Sequence, residues 1–93
     1  MGRLFDNILA AVESDRFIVS WHADERCEDR EVSPWQLIAG IEDAHLVRER
    51  PRSKPHPSVV LRQQLADGNE AEVIWAWLPD TRRAKLVTVY FRD

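Results

Sequence analysis

The sequence predicts an α+β domain in which N-terminal helices pack on one face of a C-terminal antiparallel sheet. Three observations carry this. Between Arg3 and Ala44 the apolar residues recur at helical spacing, and from Val59 to Phe91 they form β-branched and aromatic runs divided by turn residues. The chain has 93 residues, enough for one hydrophobic core, since domains cluster around roughly 100–150 residues. The whole chain, 1–93, is therefore read as a single domain.

Leu4, Phe5, Ile8, Leu9 and Val12 make a helical stripe within Arg3 to Glu13, which predicts an amphipathic first helix. Ser14-Asp15-Arg16 breaks it. Phe17 to Trp21 reads as a strand or an extended entry, with Phe17, Val19 and Trp21 on one face. His22 to Arg30 contains good helix formers, with Asp24 and Glu25 early, and predicts a short polar helix. Ser33-Pro34-Trp35-Gln36 combines an N-cap, a proline at the first helical position and a residue that closes a capping box. The helix that starts there presents Trp35, Leu37, Ile38, Ile41 and Ala44 to the core, with Gly40 weakening but not ending it. His45 to Glu49 reads as a short strand. Arg50 to Pro57 holds three prolines, Pro51, Pro55 and Pro57, among basic residues and reads as an extended basic loop. Val59 to Leu65, Ala71 to Leu78 and Ala84 to Phe91 follow as a meander, turning at Asp67-Gly68-Asn69 and Pro79-Asp80-Thr81-Arg82. Strict alternation in the last strand puts Leu86, Thr88 and Tyr90 on one face and Val87, Val89 and Phe91 on the other.

The net charge of −3 argues mildly against a protein that coats nucleic acid. Its distribution points the other way. Residues 1–47 hold four Lys/Arg against ten Asp/Glu, residues 48–62 five against one, and residues 63–93 four against five. The middle of the chain is a basic island. No run approaches the ~20 apolar residues of a membrane helix, and Met1-Gly2-Arg3 leads into no secretory segment. Cys27 is the only cysteine, which excludes an internal disulfide and a paired-cysteine metal clip; a cytoplasmic location and a buried, hydrophobic role for Cys27 are expected.

Neither metal nor cofactor is expected. His22, His45 and His56 are scattered, and HExxH, P-loop and GxGxxG patterns are absent. What remains is basic. His22, Arg26 and Arg30 fall at i, i+4 and i+8, one helical stripe able to meet a phosphate. The plainer alternative is that Asp24, Glu25, Glu28, Asp29 and Glu31 pair with both arginines. Arg50, Arg52, Lys54 and His56 form a second candidate, since a stiff basic loop can track a phosphate chain, although it can equally serve as a cover for a sheet edge. Trp21, Trp35, Trp75 and Trp77 all sit in apolar patterns, and core packing is expected for most of them.

The run Ile18-Val19-Ser20-Trp21-His22-Ala23-Asp24-Glu25-Arg26-Cys27-Glu28-Asp29-Arg30-Glu31-Val32-Ser33, the helix and Pro-rich basic stretch after it, and the closing Leu86-Val87-Thr88-Val89-Tyr90 resemble domain-of-unknown-function family 4258. That family looks like a relative of the BrnT and RelE toxins. The resemblance covers residues 17–92 and leaves residues 1–14 as an additional N-terminal helix. It implies a RelE/barnase-like fold and a metal-independent endoribonuclease, the toxin of a toxin–antitoxin pair, with RNA and an antitoxin protein as partners. It places His22, Arg26, Arg30 and Tyr90 at the catalytic site, with Arg50, Arg52, Lys54, His56 and Thr88 along the RNA path. The implied chemistry is attack of a ribose 2′-hydroxyl on the adjacent phosphate, with His22 moving the proton and the arginines balancing charge. Two other readings keep the same fold. One is a non-catalytic protein-interaction or regulatory module. The other is a homodimer formed through Leu4, Phe5, Ile8, Leu9 and Val12, if a small core leaves that stripe uncovered.

Overall fold

A computed structural model describes residues 3–92. Its elements are α1 (Arg3–Glu13), β1 (Phe17–Val19), α2 (Trp21–Asp29), α3 (Pro34–Ala39), a 3₁₀ turn (Ile41–Asp43), β2 (His45–Arg50), β3 (Ser58–Gln64), β4 (Glu70–Leu78) and β5 (Arg83–Arg92). The fold is α+β, as the sequence predicts, but the sheet is mixed. Its order is β1-β5-β4-β3-β2. Strands β2 to β5 form the antiparallel meander, whereas β1 lies parallel to β5, with Phe17 opposite Ala84 and Val19 opposite Leu86. A strand placed between two helices has no sequential neighbour to pair with, so it closes on the far end of the chain.

One core lies between the helices and one sheet face. Ile8, Ala11 and Val12 of α1, Ala23 and Cys27 of α2, Leu37 and Ile38 of α3, and Ile41 pack on Val59, Leu61, Ala71, Val73, Trp75, Ala84, Leu86 and Val89. Leu4, Phe5 and Leu9 pack against the same cluster. The α1 stripe thus packs on the protein's own sheet, with Ile8 and Val12 buried and Leu4, Phe5 and Leu9 partly so, and the structure gives no support to a homodimer through this helix. Glu49 Oε2 of β2 accepts the Phe5 N–H at 2.8 Å and ties the start of α1 to the far edge of the sheet.

Local geometry departs from expectation in four places. The capping box is only half made: Ser33 Oγ accepts from Trp35 N at 3.2 Å, while Gln36 Oε1 accepts from Ala66 N at 2.9 Å and braces the β3–β4 turn instead. Helix α3 stops at Ala39 rather than running on to Ala44, because Gln63 Nε2 donates to Leu37 O at 3.0 Å and takes the carbonyl that the next helical turn would use. At Gly40, a Cβ would lie 3.1 Å from that same Gln63 nitrogen, so the residue serves the close approach.

The third departure is a bulge in β5. Ile74 pairs with Thr88 but Trp75 pairs with Leu86, leaving Val87 as the extra residue. The alternation changes phase there. Leu86 joins Val89 and Phe91 on the core side, and Thr88 and Tyr90 join Lys85 on the other. The fourth concerns tryptophan. Trp75 is fully buried and Trp77 packs against the core, but Trp21 is 79% exposed and Trp35 65% exposed. Helix α2 begins at Trp21 with Ser20 as its N-cap, which turns the indole away from the inward face of β1. Trp35 reaches the core only edge-on, against Phe17 at 5.9 Å.

Candidate anion-binding site

Charge is segregated across the sheet. All ten carboxylates of residues 1–47 fall on the helices, the 3₁₀ turn and the turns between them. The opposite face carries no helix. By strand alternation it presents Arg48, Arg50, Arg62, Arg83, Lys85 and Arg92, against Glu70 and Glu72 at its β3–β4 end. A net acidic chain therefore has one basic face.

The loop between β2 and β3 folds back over this face rather than extending into solvent. Its prolines cannot continue the ladder, and internal hydrogen bonds hold it compact. Ser53 N donates to Arg50 O at 3.2 Å, Ser53 Oγ donates to His56 O at 2.6 Å, and Ser53 Oγ meets Ser58 Oγ at 2.8 Å. Trp77 N donates to Pro57 O at 2.8 Å and fastens the loop's end to β4. Between loop and sheet lies a cavity of about 300 Å³, at the small end of ligand pockets.

Three cations line the cavity, Arg50, Lys54 and Lys85, together with His56 and the hydroxyl-bearing residues Ser53, Ser58, Thr88 and Tyr90. Ile74, Ala76, Val87 and Pro55 supply apolar wall, and no Asp or Glu contributes. The bulge at Val87 is what makes this set possible. Without the extra residue, Thr88 and Tyr90 would point into the core while Lys85 faced the loop. Such a lining favours an anion with hydroxyl groups and an apolar portion.

Helix α2 lies along the edge of β5 beyond the end of β1 and satisfies the carbonyls left there. Ser20 N donates to Leu86 O at 2.9 Å, Ser20 Oγ to Val87 O at 2.7 Å, and Arg26 Nε to Val89 O at 2.7 Å. The Arg26 guanidinium also sits over the Tyr90 ring, 5.5 Å from its centroid, and Arg30 lies 5.1 Å from the Phe91 centroid. The two arginines of the helical stripe thus turn toward β5, Arg26 reaching the cavity only through Tyr90. His22 is exposed on the first turn of α2 and, like Arg26, Arg30 and Arg52, is not part of the cavity lining.

Of the residues singled out in the sequence, the structure brings together Arg50, Lys54, His56, Thr88 and Tyr90. Lys85 and the Ser53–Ser58 pair were not anticipated. The available signal for Lys85 was a single charge inside an otherwise apolar strand, and it acquires meaning only once the bulge fixes which face it shares. Cys27 is fully buried, and burial, with a smaller contribution from the Asp24 charge, pushes its thiol above the ordinary range. It is a core residue, unsuited to nucleophilic work. Among the described residues no three His, Cys, Asp or Glu are grouped to hold a metal ion, and no helix is long and apolar enough to cross a membrane.

Comparison with known proteins returned one match. No curated protein and no solved structure is significantly similar to the chain. The model of the family described as Domain of unknown function (DUF4258) matches residues 19–91, which takes in α2, α3, the loop over the cavity and nearly the whole sheet while leaving α1 outside. The chain belongs to the DUF4258 family.

Proposed function

We propose that the helix-free sheet face binds RNA, with a backbone phosphate in the cavity beneath the β2–β3 loop, and that the protein is a metal-independent endoribonuclease. The observation that carries this is the cation-lined cavity without a carboxylate, on the face opposite the acidic helices. Arg50, Lys54 and Lys85 hold the phosphate and balance the charge that builds on phosphorus. His56, the histidine of the cavity lining, takes the proton of the ribose 2′-hydroxyl, whose oxygen attacks phosphorus. The bond from phosphorus to the 5′-oxygen breaks, that oxygen takes a proton from a pocket ammonium, and a 2′,3′-cyclic phosphate and a 5′-hydroxyl result. Tyr90, held by Arg26, borders the phosphate and offers its ring to a base. Proton transfer is thus placed on His56 rather than on His22, which lies outside the lining.

The resemblance of residues 18–33 and 86–90 to the DUF4258 family, which looks like a relative of the BrnT and RelE toxins, supports a toxin role for this activity. Incubating the purified protein with a single-stranded RNA in excess EDTA tests the chemistry. Cyclic-phosphate ends are expected, lost in His56→Ala and kept in His22→Ala. Intact RNA with the unaltered protein, or cleavage that depends on His22 and not on His56, overturns the assignment. A second reading, an interaction module, is favoured by Trp21 and Trp35, exposed on the helical side; it predicts normal growth on overexpression and no cleavage product.

A further inference from the structure

Arg48 has no part in the cavity lining, yet the sheet register aligns it with residues that do. Leu46 and Arg48 would share a face on a regular strand. Val47 is an extra residue in β2, so Leu46 packs against the core while Arg48 joins Arg50 on the helix-free face. Between the two arginines, Glu49 turns to the other face, where its Oε2 accepts the Phe5 N–H at 2.8 Å. Both arginines are exposed, and Arg48 makes no hydrogen bond or ion pair with any described residue.

Two neighbouring cross-strand rows result. One runs from Arg50 to Lys85 through the cavity, and the next holds Arg48, Val60, Ile74 and Thr88. Neither row contains a carboxylate. The rows that follow do, with Glu72 beside Arg62 and then Glu70 beside Arg92. On the other side of Arg50, β2 ends and the loop turns back over the sheet. The stretch open to an anionic chain is therefore two rows long. Arg48 and Arg50 lie about 7 Å apart along it, a spacing comparable with that of successive phosphates in an extended strand. The cavity of about 300 Å³ under the loop admits one strand at a time.

We propose that Arg48 is a second phosphate subsite, one nucleotide along from the cavity, and that the ligand is a single RNA strand following β2 with successive phosphates on Arg50 and Arg48. This rests on the RNA reading of the cavity and adds the path and the minimum length of the chain. The smallest chain that fills both subsites has three nucleosides and two phosphates. Each phosphate neutralised in a single strand adds about 0.7 to the slope of log affinity against log salt. Lowering salt fourfold should therefore favour a doubly charged chain over a singly charged one by about 2- to 3-fold.

The test is fluorescence anisotropy with a labelled 2′-O-methyl trinucleotide, which has no free 2′-hydroxyl and stays whole, carrying either two phosphates or one phosphate and one neutral methylphosphonate in either order. With the unaltered protein, the doubly charged chain should bind more tightly at about 50 mM salt than either singly charged chain, with a slope steeper by about 0.7. Arg48→Ala should bring it down to the singly charged affinity and slope and leave the singly charged chains unchanged, while Arg48→Lys keeps the difference. An advantage of the second phosphate that survives Arg48→Ala, or that is missing in the unaltered protein, would overturn the proposal. Equal weakening of all three chains by Arg48→Ala would overturn it too, as would binding seen only with a longer RNA. Failure of these chains and of a longer unmodified RNA to bind would overturn the RNA reading itself.

Discussion

Replacing Arg26 by alanine separates a positioning role from a direct one. Two interactions are lost, the 2.7 Å hydrogen bond from Nε to Val89 O and the contact with the Tyr90 ring. A hydrogen bond from a charged donor contributes about 1.5–3 kcal/mol, and a cation–π contact at an exposed site about 0.5–1 kcal/mol. Both come from one half-buried guanidinium, and water takes over part of the first, so the combined loss is about 2 kcal/mol. At about 4–8 °C per kcal/mol for a domain of this size, thermal unfolding followed by circular dichroism should move down on the order of 10 °C. Arg26→Lys keeps a charge without the planar fork and should recover only part of it. RNA affinity should fall less in Arg26→Ala than in Lys85→Ala, because Arg26 reaches the cavity only through Tyr90. An unchanged unfolding temperature together with lost RNA binding would refute the reasoning and make Arg26 a direct phosphate contact.

The tryptophans give a contrast in the core: Trp75→Ala should cost about 3–5 kcal/mol in urea denaturation, and Trp35→Ala about 1 kcal/mol or less, since only its edge contact with Phe17 is lost. At the α1 end, the Glu13 carboxyl is held above its ordinary 4.5 by a hydrogen bond with Glu42, by desolvation and by the Glu42 charge. The folded state therefore binds that proton more tightly than the unfolded chain, and stability is lost once pH rises above the raised value. Glu13→Gln should unfold at higher denaturant than the unaltered protein at pH 7, with the difference shrinking as pH falls through the raised value and below 4.5. Cys27 should resist an aromatic disulfide reagent in the native protein and react stoichiometrically on unfolding, given its burial and raised thiol.

What the sequence shows plainly is local. Helix α1, the start of α3 at Ser33-Pro34 and the turn at Gly68, where φ is +90°, each follow from residues that are chain neighbours. The basic island was legible in the same way, as a composition. Pairings between distant segments were not. Nothing near Phe17 announces that Ala84 will lie beside it, and the Val87 bulge sits in a run of β-branched residues with no glycine to mark it. That single extra residue decides whether Thr88 faces the core or the cavity, so the candidate site could be named by residue type but not assembled. The helical stripe shows the same limit. Its spacing places Arg26 on the flank of α2, but the β5 carbonyl and the Tyr90 ring determine what it does there.

RNA binding at the cavity lining is what every proposed role of these residues requires. The direct measurement is the dissociation constant for a short single-stranded RNA across a series of salt concentrations, for the unaltered protein, Lys85→Ala, Arg50→Ala and His22→Ala. Lys85→Ala and Arg50→Ala should each weaken binding and reduce the salt slope by about one, with His22→Ala unchanged. Binding that fails with His22→Ala while Lys85→Ala and Arg50→Ala leave both affinity and slope intact would contradict it.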